Sequence, residues 1–222
     1  MEQPGHTLPQ SPFVGLITTP KWFVPIQETL YSPTQWLQDN VGRPEDQCVY
    51  MAASTVALVC CFLVKAHPGS AFQRKLFSTS AGLFIHYYVF GLAGLASLAS
   101  NILSYVTMRL APTSYSHILV FVITGVALAL SQIHKQIYSY GVNGLDVPMN
   151  LMFNYCRVTS LACCIRDGQT VIEARRQGKE PDLKRRERAY AVEEFPSIFD
   201  YLSYMYFCGA AISGPFFEFK DF

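Results

Sequence analysis

The run Leu76–Leu110, LFSTSAGLFIHYYVFGLAGLASLASNILSYVTMRL, decides the fold class of this chain. Its one Lys or Arg is Arg109, and it has no Asp or Glu. At about 1.5 Å of rise per residue it is too long for a single untilted helix across a bilayer core of about 30 Å. A break near Gly91–Leu95 divides it into two packed helical pieces. Gly91, Ala93, Gly94, Ala96, Ser97, Ala99 and Ser100 supply small residues at four-residue spacing, as in Ala93/Ser97 and Ala96/Ser100. In lipid such pairs let neighbouring helices approach closely.

The charge-free character continues through Pro112, which stops the helix, to His134, with Thr113 or Ser114 placed to cap the next one. Over the whole chain 50% of residues are hydrophobic and 15% charged, well below the roughly one quarter charged in soluble domains. Charge collects before Cys48, between Lys65 and Lys75, and between Arg166 and Glu194. Apolar blocks with charged punctuation predict an all-α, multi-pass transmembrane bundle. The expected spans are Cys48–Val64, the two pieces of Leu76–Leu110, Ser116–Tyr138, Asp146–Ile165 and Phe199–Ser213, five or six in all. The link with Lys65, His67, Arg74 and Lys75 lacks acids, which favours the cytoplasmic side and a lumenal N-terminus.

Residues 1–47 form a Pro-rich amphipathic tail. Trp22, Phe23 and Trp36 alternate with Lys21, Glu28 and Asp39, which suits either a loose tail or an interfacial segment. Residues 48–222 form the helical domain, interrupted by a charged loop over 166–195 that mixes both signs nearly evenly. No compact apolar leader with a cleavage site is visible. A net charge of +1 gives no footprint for nucleic acid. The 7 cysteines form no CxxC pair and read as small hydrophobes, so neither a metal site nor a disulfide framework is expected.

Polar groups inside a membrane need a partner or a watery cavity. Asn150, Asn154, Arg157 and Cys164 fall at i, i+4, i+7 and i+14, one stripe of a helix. Two readings stand open for Arg157. The stripe lines a polar cavity that meets a phosphate or carboxylate, or Arg157 makes a structural ion pair with Asp167 or Asp200. His86, in Phe-Ile-His-Tyr-Tyr, reads either as a general base or as a hydrogen-bonded bundle residue. His134, beside Lys135, reads as an interface residue. No phosphate loop, nucleophile elbow, zinc-protease or dinucleotide motif is present.

Two stretches carry a family likeness. The first is DVPMNLMFNYCRVTSLACCIRDGQ (Asp146–Gln169), with Asp146, Met149, Arg157, Thr159-Ser160, Ala162 and Asp167-Gly168. The second is RERAYAVEEFPSIFDYLSYMYFCGAAISGPFFEFKDF (Arg186–Phe222), with Pro196-Ser197, Tyr201, Tyr204, Gly214-Pro215 and the aromatic run behind them. Together they resemble the membrane-bound O-acyltransferase family in its lysophospholipid acyltransferase branch, and the likeness runs from about Lys75 onward. The resemblance implies transfer of a fatty acyl group from acyl-CoA, as co-substrate, to a lysophospholipid hydroxyl, with no cofactor or metal, in the endoplasmic reticulum membrane. It also implies that the family's catalytic Asn and His lie beyond the matching motifs, so no catalytic residue carries over and the chain reads as a front half that is inactive alone. Substrate contacts are expected from Asn150, Asn154, Arg157, Tyr201, Tyr204, Gly214, Pro215 and Phe217. The alternative is a non-catalytic membrane protein, a short isoform or relic that binds lipid or a full-length partner.

Overall fold

The computed structural model describes residues 34–36, 38–40, 42, 45–138, 147–212, 214 and 216–222. Among them the protein is helical and has no strand. The elements in chain order are α1 (Glu45–Ala66), α2 (Ala71–Phe90), a 3-10 turn (Gly91–Ala93), α3 (Gly94–Leu110), α4 (Thr113–Tyr138), α5 (Val147–Arg176), α6 (Arg185–Tyr190) and α7 (Ile198–Met205), with short 3-10 turns at Cys208–Ala210 and Phe219–Asp221. Most of the 1–47 tail, and Asp146, Ser213 and Pro215, lie outside the described residues.

Local chemistry places most boundaries. Ser70 opens α2 through a reciprocal cap: its Oγ accepts from the Gln73 N–H, and Gln73 Oε1 accepts from the Ser70 N–H. The break in Leu76–Leu110 falls at Gly91–Ala93, within the small-residue stretch. Pro112 separates α3 from α4. Ser197 caps α7 by accepting from the Asp200 N–H at 3.1 Å.

Two boundaries correct the sequence expectation. Residues 166–176 carry the charge pattern expected of the loop, but α5 continues through them to Arg176. Asp167 is buried and bonded by the adjacent Arg166 at 2.9 Å, while Arg175 turns outward to Glu193. Their charges are therefore compatible with continued helix. The span expected at Phe199–Ser213 is not one helix either, because α7 ends at Met205 and the chain turns at Cys208–Ala210.

The outer surface is unusually apolar and the interior also holds several polar side chains. Ser97, Asn101, Ser104, Asn150, Asn154, Arg157 and Ser203 are buried, whereas Leu58, Phe62, Phe121, Val122 and Leu130 are exposed. Two helices among the described residues are long and apolar enough to cross a membrane, Gln47–Ala66 and Thr113–Tyr138. Their most apolar windows are only 22% and 17% buried, whereas the core helix of a soluble protein is mostly covered. Their outer faces match lipid, which fits membrane association.

Two apolar cores hold the bundle. One joins Met108, Val120, Val158, Leu161, Tyr201 and Tyr204 where α3, α4, α5 and α7 meet. The other joins Ala53, Ala57, Ile85, Phe90, Cys208 and Ile212 between α1, α2 and the Cys208 turn. At Gly82 a β-carbon would collide with the Tyr206 carbonyl, so only glycine lets α2 lie this close to the chain leaving α7.

Candidate functional site

The end of α7 poses a problem that the rest of the fold solves. Once the helix stops at Met205, the carbonyls that follow have no helical partners, and burial of such groups is costly. Irregular backbone at membrane depth survives only when protein supplies the missing bonds. Here α5 supplies them. Arg157 Nη1 donates to the Met205 carbonyl at 3.2 Å and Nη2 to the Ala210 carbonyl at 2.9 Å. Two turns earlier on the same face, Asn150 Nδ2 donates to the carbonyls of Ala211 at 3.0 Å and Ile212 at 3.3 Å.

The stripe is closed on its other side by α3. Ser97 Oγ donates to Asn150 Oδ1 at 2.7 Å, and Asn154 Nδ2 reaches both Ser97 Oγ at 2.8 Å and Asn150 Oδ1 at 2.9 Å. Asn101 Nδ2 donates to the Tyr206 hydroxyl at 3.1 Å, and the Tyr201 hydroxyl donates to the Asn101 carbonyl at 2.9 Å. Ser97, Asn101 and Ser104 thus form a second buried stripe on α3 with the same i, i+4, i+7 spacing as Asn150, Asn154 and Arg157. The sequence reading took Ser97 only as a small packing residue. The matching polar spacing on two neighbouring apolar helices was the signal that could have found it.

The ion-pair reading of Arg157 does not describe its surroundings. The two carboxylates considered for it are engaged elsewhere, Asp167 with Arg166 at 2.9 Å and Asp200 with Lys75 at 2.7 Å. The guanidinium of Arg157 caps backbone carbonyls and stands 5.5 Å from the centroid of the Phe217 ring. Asn150, Asn154 and Arg157 are all buried and spend these bonds on protein.

The remaining candidates extend this assembly toward the aromatic segment. Tyr204 is fully buried, and its hydroxyl donates to the Phe217 carbonyl at 2.9 Å. Its ring meets Phe217 edge-on at 5.3 Å and Phe219 at 5.4 Å. Gly214 is packed on the Ala210 backbone, where a β-carbon would collide. Glu218, which the sequence reading did not single out, accepts from Ser160 Oγ at 2.7 Å and ties the segment to α5. Pro215 lies outside the described residues.

His86 borders this assembly through Tyr206. His86 is buried, with Nε2 3.3 Å from the Gly94 carbonyl and its ring beside Phe90 and Tyr206. His134 lies against Tyr138 near the end of α4. Among the described residues no group of His, Cys, Asp or Glu could hold a metal ion.

This geometry brings the two resemblance stretches into direct contact, α5 from the first against 201–218 from the second. Comparison with known proteins points the same way. The chain is 28% identical over 191 residues to Lysophospholipid acyltransferase 6 of Drosophila melanogaster, covering 84% of this chain and 26% of that protein. It is 28% identical over 199 residues to human Membrane-bound glycerophospholipid O-acyltransferase 2, covering 87% of this chain and 36% of that protein. The chain is thus similar in sequence to lysophospholipid and membrane-bound glycerophospholipid O-acyltransferases. A more distant likeness, 24% over 173 residues, is to the Lysophospholipid acyltransferase of Saccharomyces cerevisiae. The chain therefore spans between about a quarter and just over a third of the length of these curated relatives. No protein-family model and no solved structure matches it.

Proposed function

We propose that the protein is a lysophospholipid acyltransferase that moves a fatty acyl group from acyl-CoA to the free hydroxyl of a lysophospholipid. The observation that carries this reading is the similarity to glycerophospholipid acyltransferases over 84–87% of the chain. In this reading the protein is a multi-pass protein of the endoplasmic reticulum membrane with five or six spans in this region. The chemistry would need a base to take the hydroxyl proton as oxygen attacks the thioester carbonyl.

The residues present would build the chamber wall. Arg157, Asn150 and Asn154 hold the backbone from Met205 to Ile212, and that backbone leads into Gly214 and the Phe217 segment. Tyr204 locks the Phe217 segment through its hydroxyl, and Tyr201 ties α7 to α3 through its own. Such a wall fixes where substrate can lie and keeps water from the thioester. Phe217 and Gly214 line clefts, so they are the candidates for direct substrate contact.

The test is acyl transfer in microsomes from cells expressing the native protein, given radiolabelled oleoyl-CoA and a panel of lysophospholipids. Labelled diacyl product above the vector control is expected. Absence of product with every acceptor, at normal expression, would overturn the reading. A second reading, a non-catalytic lipid- or partner-binding protein, draws support from the internal closure of the polar stripe. It predicts a native mass of 24.9 kDa together with no acyl transfer.

A further inference from the structure

A cleft of about 570 Å³ opens where α1 passes into α2, bounded on its other side by the aromatic segment. That volume lies within the range of small-molecule sites. Its floor includes Val64, Phe207, Phe217 and Phe222. The three rings are mutually packed, with centroids 5.8 Å (Phe207–Phe217), 5.9 Å (Phe207–Phe222) and 6.4 Å (Phe217–Phe222) apart, so the apolar wall is preformed.

The rim is charged. Lys65, Arg74, Lys75 and Asp221 line it. Lys75 is already committed, bonding Asp200 at 2.7 Å and lying 5.5 Å from the Phe222 ring centroid. Lys65 and Arg74 make no ion pair among the described residues. Both are exposed, and the start of α2 beside them adds the favourable end of a helix dipole for an anion. Lys65 ends the apolar helix α1, which sets this rim at headgroup depth.

We infer that this cleft binds a glycerophospholipid, its phosphate between Lys65 and Arg74 and an acyl chain along Phe207, Phe217 and Phe222. The Asp221 carboxylate sets the charge preference. Two free cations facing one carboxylate suit a monoanionic phosphodiester better than a dianionic phosphomonoester. A free phosphate would leave the aromatic floor unused, and a neutral acyl chain would leave the cations unpaired. The inference stands on the cleft itself and not on acyl transfer.

The experiment reconstitutes the full chain in phosphatidylcholine nanodiscs with lysophosphatidylglycerol carrying a diazirine in its acyl tail, then maps the photo-crosslinks by peptide mass spectrometry. Crosslinks on the peptides containing Phe207, Phe217 or Phe222 are expected. Lys65→Gln with Arg74→Gln should lower them about tenfold. Arg175→Gln with Arg176→Gln, at the end of α5 and not lining the cleft, should leave them unchanged. Competition by unlabelled diacyl phosphatidylglycerol identifies a resident bilayer lipid, and competition by monoacyl lipid alone identifies an acyl acceptor. Crosslinks confined to the outer faces of α1 and α4, or indifferent to the Lys65/Arg74 change, would overturn the site. Crosslinking without acyl transfer would defeat only the catalytic reading, and acyl transfer without crosslinking only the cleft.

Discussion

Helix α4 and the segment from α7 to Phe217 solve the same problem in opposite ways. Across Thr113–Tyr138 every turn can satisfy its own backbone, so the side chains are free to be apolar and face outward, as Phe121, Val122 and Leu130 do. From Met205 onward the helix is interrupted, and the unpaired carbonyls take their donors from Arg157 and Asn150. In a low-dielectric surround, polar side chains are needed where backbone continuity fails. The buried polar stripe is thus a consequence of the break in α7.

The strongest way to break this comparison is Arg157→Leu. It removes the donors to two buried carbonyls in one step. At 1–3 kcal/mol for each buried group left unsatisfied, we expect a loss of about 3 kcal/mol, read as a lower melting temperature in mixed micelles. Arg157→Lys should recover part of it, since an ammonium can reach a carbonyl but cannot span two with a planar fork. If the proposed acyl transfer is this protein's activity, it should fall in parallel with stability. Normal stability with lost transfer would instead make Arg157 a substrate-contacting group.

Gly168 sharpens the comparison from the continuous side of α5. A β-carbon there would collide with the Val192 carbonyl, whose residue's own N–H donates to the Cys164 carbonyl at 2.9 Å. Backbone held on both sides cannot move aside as a flexible side chain would. Gly168→Ala is therefore expected to cost about 2 kcal/mol, in the range for overpacked cores, despite alanine's better helix propensity. An unchanged melting temperature would show that the 191–192 segment docks loosely.

Much of this was legible from residue order. The break in Leu76–Leu110 followed from length and small residues, and the Asn150–Asn154–Arg157 stripe from helical spacing. The partners of Arg157 were not legible, because a sequence displays carboxylates and does not display which carbonyls an interrupted helix will leave unpaired. For the same reason Phe199–Ser213 read as one span: its side chains are apolar enough, and the interruption lies in the backbone. The extension of α5 to Arg176 was masked by its charges, which suggest a loop until Asp167 is seen to be bonded by Arg166.

The smallest expected effect lies outside the apolar layer, where Lys75 and Asp200 join α2 to the start of α7. Hydrogen bonds from Lys75 and Ser197 hold the Asp200 carboxyl below its ordinary pKa. A carboxyl with a lowered folded-state pKa contributes stability above its unfolded value, and that contribution disappears as pH falls through the lowered one. The pair should therefore stabilise the fold at neutral pH and cease to do so on acidification below about pH 4. Both side chains are about a third exposed, at 37% and 35%, so solvent screening limits the contribution to less than about 1 kcal/mol. Asp200→Asn should lower the melting temperature slightly at pH 7 and leave it equal to the parent at the acid end. A difference that persists or grows on acidification would place the role of Asp200 in its cap hydrogen bonds with Ser197, and the docking of α7 would then rest on its buried contacts, Tyr201, Tyr204 and the Arg157 stripe among them.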